Sequence, residues 1–135
     1  MRSRAIETYK TALRLSDVQR EMLDHVARKA EQHGLGNIVP TEGDARSLPY
    51  PDDSFDAAFL VTVLGEVPDQ DAALRELGRV LKPGGALVVG ETMFGDPHVV
   101  TLGKLRERAA NAGFSFERHL GSLLGYFARF RTPAA

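Results

Sequence analysis

The sequence has 135 residues, 43 % of them apolar and 26 % charged, the balance of one globular domain and not of a disordered chain. Seventeen basic and eighteen acidic side chains leave a net charge of −1, and no stretch gathers Lys and Arg into a phosphate-attracting surface, which argues against a nucleic-acid partner. Without cysteine there is no disulfide framework, thiolate nucleophile or cysteine-based metal site; Met1-Arg2-Ser3-Arg4 leads into no apolar signal core, no run reaches the roughly 20 apolar residues of a membrane helix, and the expected place is the cytoplasm.

From Asp17 to His33, the apolar residues Met22, Leu23, Val26, Ala27 and Ala30 fall on one stripe at 3.6 residues per turn, which predicts an amphipathic helix. Gly34 closes it, and Asn37-Ile38-Val39 begins a short strand. Pro40 removes a ladder donor from that strand and places it at a sheet edge. The segment from Gly43 to Ser54, with Pro49, Pro51, Asp52 and Asp53, reads as a loop. Phe55 to Leu64 is nearly continuously apolar, the pattern of a central parallel strand with helices on both faces. Pro68 and Asp69 then open a helix with the stripe Ala73, Leu74, Leu77, Val80 and Leu81. Pro83-Gly84-Gly85 ends it before a strand from Ala86 to Val89. A third helix, Thr101 to Ala112, carries Leu102, Leu105, Ala109 and Ala112 on one side and stops at Gly113. Phe114 to Leu120 and Tyr126 to Arg131 are strands close enough to pair as an antiparallel hairpin. Alternating strands and helices with a terminal hairpin predict one α/β domain over residues 1–135, its sheet of mixed direction.

Ordered motifs run through this pattern: Glu21-Met22-Leu23, Gly34-Leu35 with Asn37-Ile38, and Gly43-Asp44-Ala45 through Leu48-Pro49-Tyr50-Pro51-Asp52 to Ser54-Phe55-Asp56-Ala57. Val67-Pro68-Asp69, Leu74-Arg75-Glu76, Arg79-Val80-Leu81-Lys82-Pro83-Gly84-Gly85, Leu87 and Glu91 follow. In this order and spacing the chain resembles the class I S-adenosylmethionine-dependent methyltransferases, above all the group with ubiquinone- and menaquinone-biosynthesis-type enzymes. The resemblance implies a Rossmann-like sheet, S-adenosyl-L-methionine as cofactor and a small-molecule methyl acceptor.

It also implies which residues bind. An acidic residue after the family's second strand accepts from the ribose hydroxyls, and Asp17 stands there; its alternative role is to cap the following helix, and Glu7 is a rival. Asp44 and Ala45 stand where the adenine is read, the carboxylate accepting from the exocyclic amine and the next amide donating to a ring nitrogen; the alternative for Asp44 is a turn residue. Leu60, Val61 and Thr62 would form the floor under the methionine part, with core packing the alternative for Leu60. Where the family often carries histidines facing the acceptor, this chain has Gly65 and Glu66, so no catalytic role transfers; Glu66 either deprotonates an acceptor or is solvated, with solvation favoured, His98 and His119 read the same way, and no metal-ligand spacing occurs. Met93 to Val100 is either a lid portion or a surface loop.

One family element is missing from these residues. No glycine precedes Gly34, so the first strand and the glycine-rich turn that lets backbone approach the methionine carboxylate are not found, and the chain reads as N-terminally truncated. That strand would stand mid-sheet, and its absence predicts two open strand edges, with an obligate homodimer as the favoured remedy. The N-terminal segment, a separate polypeptide or a longer gene are the others. Two functions follow: a methyltransferase, or a non-catalytic methyltransferase-like fragment or assembly partner that does not turn over cofactor. A dinucleotide oxidoreductase is remote, since no Gly-x-Gly-x-x-Gly follows a strand.

Overall fold

The computed structural model describes residues 13–17, 20–61, 63–92, 99–122 and 124–134, with backbone alone for 13–17, 20, 22, 40 and 42. They form two compact units, one ending at Asp44 and the other running from Ala45.

In the first unit, strand β1 (Leu13–Asp17) and strand β2 (Ile38–Glu42) pair in parallel, from Leu13 opposite Ile38 to Asp17 opposite Glu42. Helix α1 (Arg20–Gln32) connects them and packs on both, burying Leu23 and Ala30. Ala27, expected on the same stripe, is exposed, because the covered face is only as wide as two strands. The helix ends where Gly34 takes φ +65° and the Leu35 amide donates to the Ala30 carbonyl at 2.8 Å, a left-handed glycine closure. Pro40 sits opposite Leu15 in a two-stranded sheet, where a lost donor costs no inner ladder bond.

The second unit is a four-stranded sheet in the order β3-β4-β6-β5, built from β3 (Phe55–Val61), β4 (Leu81–Thr92), β5 (Ser115–Ser122) and β6 (Gly125–Arg131). β3 and β4 are parallel; β6 runs antiparallel to both β4 and β5. Helix α2 (Gln70–Val80) starts at Asp69, whose side chain accepts from the Ala72 amide at 3.0 Å, and buries Ala73, Leu74, Leu77 and Val80. Helix α3 (Leu102–Asn111) starts at Thr101 and buries Leu105 and Ala109. Both lie on one face of the sheet, over Leu87, Val89, Tyr126, Ala128 and Phe130, and an Arg108–Asp71 ion pair of 2.9 Å joins them.

The fold class is therefore the expected α/β sheet with a terminal hairpin, with three corrections. Among the described residues the strand from Phe55 stands at the end of its four-stranded sheet and not at its centre, at the open edge expected beside the family strand that is not found. Ala57, Phe59 and Val61 of β3 are exposed while Ala58 and Leu60 pack on the core. Its apolar run suits cover on both faces, but the helices of this unit supply only one. Second, β3 stops at Val61, and Leu64 lies fully buried in a single 3₁₀ turn, Leu64–Glu66. Third, Pro83-Gly84-Gly85 does not separate helix from strand: β4 begins at Leu81, and its pairing with β3 slips between Phe55 and Ala57. Gly85 makes this slip possible, since a Cβ there would stand 2.8 Å from the Lys82 carbonyl oxygen. Thr132 locks it, accepting from the Gly85 amide at 2.9 Å and donating to the Lys82 carbonyl at 2.8 Å.

Candidate functional site

In parallel strands the carboxyl ends lie together, and ligands of open α/β sheets bind beyond those ends. In the first unit Asp17 is the last residue of β1, opposite Glu42, and Asp44 follows β2 by two residues, half-buried. Two acidic residues thus leave the same end of neighbouring strands. In the second unit Ala45 is half-buried and packs with Leu48 against the core. Leu60 packs on the same core, so its side chain is engaged beneath the helices, while Val61 ends β3 with 44 % of its surface exposed. Thr62 and residues 93–98, including His98, lie outside the described residues, as does Glu7.

Past the carboxyl ends of β3 and β4 lies a hollow of about 330 Å³ bordered by Val61, Thr92, Leu120, Ser122, Tyr126 and Phe127. Val61, Gly90, Phe127 and Leu120 stand opposite one another across all four strands. They lie on the face opposite α2 and α3, and Phe127 and Leu120 are 51 % and 59 % exposed. Gly90 lets the Phe127 ring lie across the sheet, since a Cβ at 90 would stand 2.6 Å from that ring. On the opposite face Tyr126 donates to the Val100 carbonyl at 2.5 Å, and burial first, then the nearby Glu91 carboxylate, push its phenol above its ordinary range. Glu91 is a carboxylate only 4 % exposed. Glu66 is exposed on the 3₁₀ turn and His119 is exposed on β5 beside Phe116; among the described residues no three acidic or histidine side chains are grouped to hold a metal.

The residues least visible in the sequence join the loop 45–54 to α2. Arg79 donates through Nε and Nη2 to the two carboxylate oxygens of Glu76 at 2.7 and 2.9 Å, and through Nη2 to the Leu48 carbonyl at 3.0 Å. Its Nη1 reaches the Tyr50 carbonyl and Asp52 Oδ1, each at 2.8 Å. Glu76 in turn accepts from the Leu48 amide at 2.7 Å. Glu76 and Arg79 both stand in motifs quoted above, and their i,i+3 spacing on a helix signals the ion pair but not its reach to the loop. The Arg79 hydrogen bonds hold the Glu76 carboxyl below its ordinary value of 4.5. A carboxyl whose pKa falls on folding adds stability that is complete above the ordinary value and disappears as pH drops through the folded one. Urea unfolding between neutral pH and pH 3 should therefore show an acid loss of stability that Glu76→Gln reduces; an unchanged acid limb would remove Glu76 from its causes.

The carboxyl-end placement suits the adenosine half of a nucleoside cofactor: ionised carboxylates only accept, and ribose hydroxyls and an exocyclic amine donate. For the carboxylate of the methionine half, which calls for a glycine-rich backbone turn, the sequence offers no glycine before Gly34.

Comparison with known proteins adds to the geometry. Residues 3–89 match the family described as the methyltransferase domain. The ubiquinone/menaquinone biosynthesis C-methyltransferase UbiE of Cellvibrio japonicus is 43 % identical over 91 residues, 67 % of this chain and 36 % of that protein. The uncharacterized protein YafE of Escherichia coli is 44 % identical over 77 residues, 57 % of this chain and 37 % of that one. The chain thus spans little more than a third of these relatives. Among solved structures, the [4+2]-cyclase SpnF aligns with a TM-score of 0.87 at 22 % identity, over 99 % of this chain and 70 % of that one. A SAM-dependent methyltransferase from Aquifex aeolicus aligns at 0.83 and 22 %, over 91 % and 70 %. These two likenesses are of fold.

Proposed function

Because the chain belongs to the methyltransferase-domain family, we propose that it takes part in methyl transfer from S-adenosyl-L-methionine to a small-molecule acceptor. The observation that carries this reading is the pair of acidic residues at the carboxyl ends of β1 and β2. In it, Asp17 accepts from the ribose hydroxyls, Asp44 accepts from the adenine amine, the Ala45 amide donates to a ring nitrogen, and Leu60 and Val61 lie under the methionine part. The cofactor, when bound, supplies a sulfonium methyl open to direct displacement. The chain's task is then alignment, which needs no dedicated base when the acceptor is already nucleophilic. The hollow bordered by Val61, Leu120 and Phe127 supports an acceptor with an apolar body, and the UbiE relatives are by name enzymes of quinone biosynthesis. We read residues 1–135 as one methyltransferase domain, supported by a family match that runs unbroken across the junction at Asp44 and Ala45. We place it in the cytoplasm; among the described residues no helix is long and apolar enough to cross a membrane.

The test is calorimetric titration of the chain with S-adenosylmethionine and S-adenosylhomocysteine. Asp44→Ala should weaken binding about 10- to 100-fold, the value of a hydrogen bond to a charged group of about 1.5–3 kcal/mol. The second reading is a methyltransferase-like piece that does not turn over cofactor; residues 1–33 of this sequence contain no glycine. No heat at millimolar ligand would select it. The end position of β3 supports a homodimer, for which light scattering should give twice the chain mass of 14.7 kDa; a monomeric mass would refute it.

A further inference from the structure

We propose that Glu76 and Arg79 are positioning residues for the cofactor: one turn of α2 holds the loop 45–54 in the single arrangement that presents the Ala45 amide to the adenine. This rests on the adenine role given to Ala45 above.

The guanidinium has five N–H donors and no acceptor, and five hydrogen bonds use them. Two go to Glu76 and the other three to the Leu48 carbonyl, the Tyr50 carbonyl and Asp52 Oδ1. Glu76 returns a contact to the same loop by accepting from the Leu48 amide. The backbone of α2 adds two more, with the Arg79 carbonyl accepting from the Asp53 amide at 3.0 Å and the Val80 carbonyl accepting from the Ser54 amide at 2.7 Å. One helical turn therefore binds the loop at residues 48, 50, 52, 53 and 54. Asp53 stands at φ +53°, a left-handed conformation that aspartate tolerates better than most residues, and its amide is held by the Arg79 carbonyl.

The pair is not needed to make the helix. α2 has its cap in Asp69 and its own buried stripe. What the pair does fix is the backbone of a loop rich in proline and aspartate, whose ordering would otherwise be charged against ligand binding. The consequence reaches Ala45 because it lies three residues before Leu48, whose amide and carbonyl are both held by the pair, and Ala45 and Leu48 each pack against the same core cluster. An amide can read the adenine ring only if it donates to a nitrogen that accepts. Hypoxanthine carries a hydrogen on the corresponding ring nitrogen, and a correctly placed donor rejects it.

Arg79→Lys keeps the charge and removes the planar fork; Glu76→Gln keeps the shape and removes the charge. S-adenosylhomocysteine and S-inosylhomocysteine would each be titrated into the wild-type chain and both variants, alongside amide hydrogen exchange at Leu48 and the urea midpoint. The expected result is preference of the wild type for the adenosyl ligand, a tenfold or greater loss of that preference in both variants, faster Leu48 exchange, and a midpoint nearly unchanged in Arg79→Lys and lowered in Glu76→Gln only by what its lowered carboxyl pKa contributed. Loss of preference with an intact midpoint in Arg79→Lys is something a merely structural role would not produce. Variants that retain the full preference, whether or not Leu48 exchanges faster, overturn the positioning role and leave the cofactor reading in place. Variants that both fail to fold overturn it too, since the pair would then be part of global stability. A wild-type chain that binds neither ligand overturns the cofactor reading, and this inference with it.

Discussion

Phe130→Ala should lower the unfolding free energy by about 3–5 kcal/mol and leave the urea m-value unchanged. Phe130 has no exposed surface and is the largest of the wholly buried side chains among the described residues. On β6 it stands opposite Leu87 of β4 and Phe116 of β5, the two strands that flank it. Its ring meets that of Phe116 edge to face, centroids 5.6 Å apart at 66°, a geometry worth about 0.5–1.5 kcal/mol beyond the buried area. The cost should fall at the upper part of the range because the site cannot collapse: the walls are backbone-paired strands on both sides, and Ala109 and Leu105 of α3 belong to the same fully buried cluster. Leaving a void lined by fixed atoms removes dispersion contacts without replacing them. An equilibrium urea titration followed by far-ultraviolet circular dichroism decides the matter. A loss below about 1 kcal/mol would mean that the sheet repacks freely and that the face under the helices is not the close-packed core described above.

Much of this core could be read before the structure. The stripes on α2 and α3, the Asp69 start and the Gly34 and Gly113 stops all stand where the periodicity and the capping chemistry put them, because those signals act within a turn or two of the chain. The errors concern what lies farther away. The unbroken apolar run of β3 reports what such a strand can touch, and could not report that Phe59 would be 63 % exposed at the end of a four-stranded sheet. Pro83-Gly84-Gly85 looked like punctuation because its partners are Thr132 and Pro133, almost fifty residues on. The candidate site divides in the same manner. Asp17 and Asp44 were proposed by motif, and the end of β1 at Asp17 and the place of Asp44 two residues after β2 follow from strand direction. Arg79 was visible only as part of a motif, since three of its five hydrogen bonds go to the segment 27 to 31 residues earlier and two of those to backbone carbonyls that have no side-chain signature.

Gly121→Ala should open the far end of the terminal hairpin and reduce stability by about 3 kcal/mol or more. Gly121 stands at φ +147°, a conformation that side-chain-bearing residues rarely adopt, which alone costs on the order of 1–3 kcal/mol. A Cβ there would also run into the carbonyl oxygen of Gly125 and come within 2.6 Å of the Tyr126 Cα, and both obstacles are backbone atoms of the paired strand. No rotamer change relieves such a clash, so β5 must lift away from β6 between Gly121 and Ser122, the last two pairs of the ladder. The damage has a functional side, because Gly121, Ser122 and Gly125 border the hollow beyond β4. If that hollow receives the acceptor, a variant studied below its unfolding transition should still bind S-adenosylhomocysteine while losing affinity for an apolar acceptor, which separates the two halves of the site. Gly103→Ala is the matched control. Gly103 lies in α3 with nothing within 4 Å of the added carbon, and there the same substitution should stabilise by about 0.5–1 kcal/mol through helix propensity. Equal effects at 121 and 103 would show that glycine content, and not the close approach of β5 to β6, governs both positions.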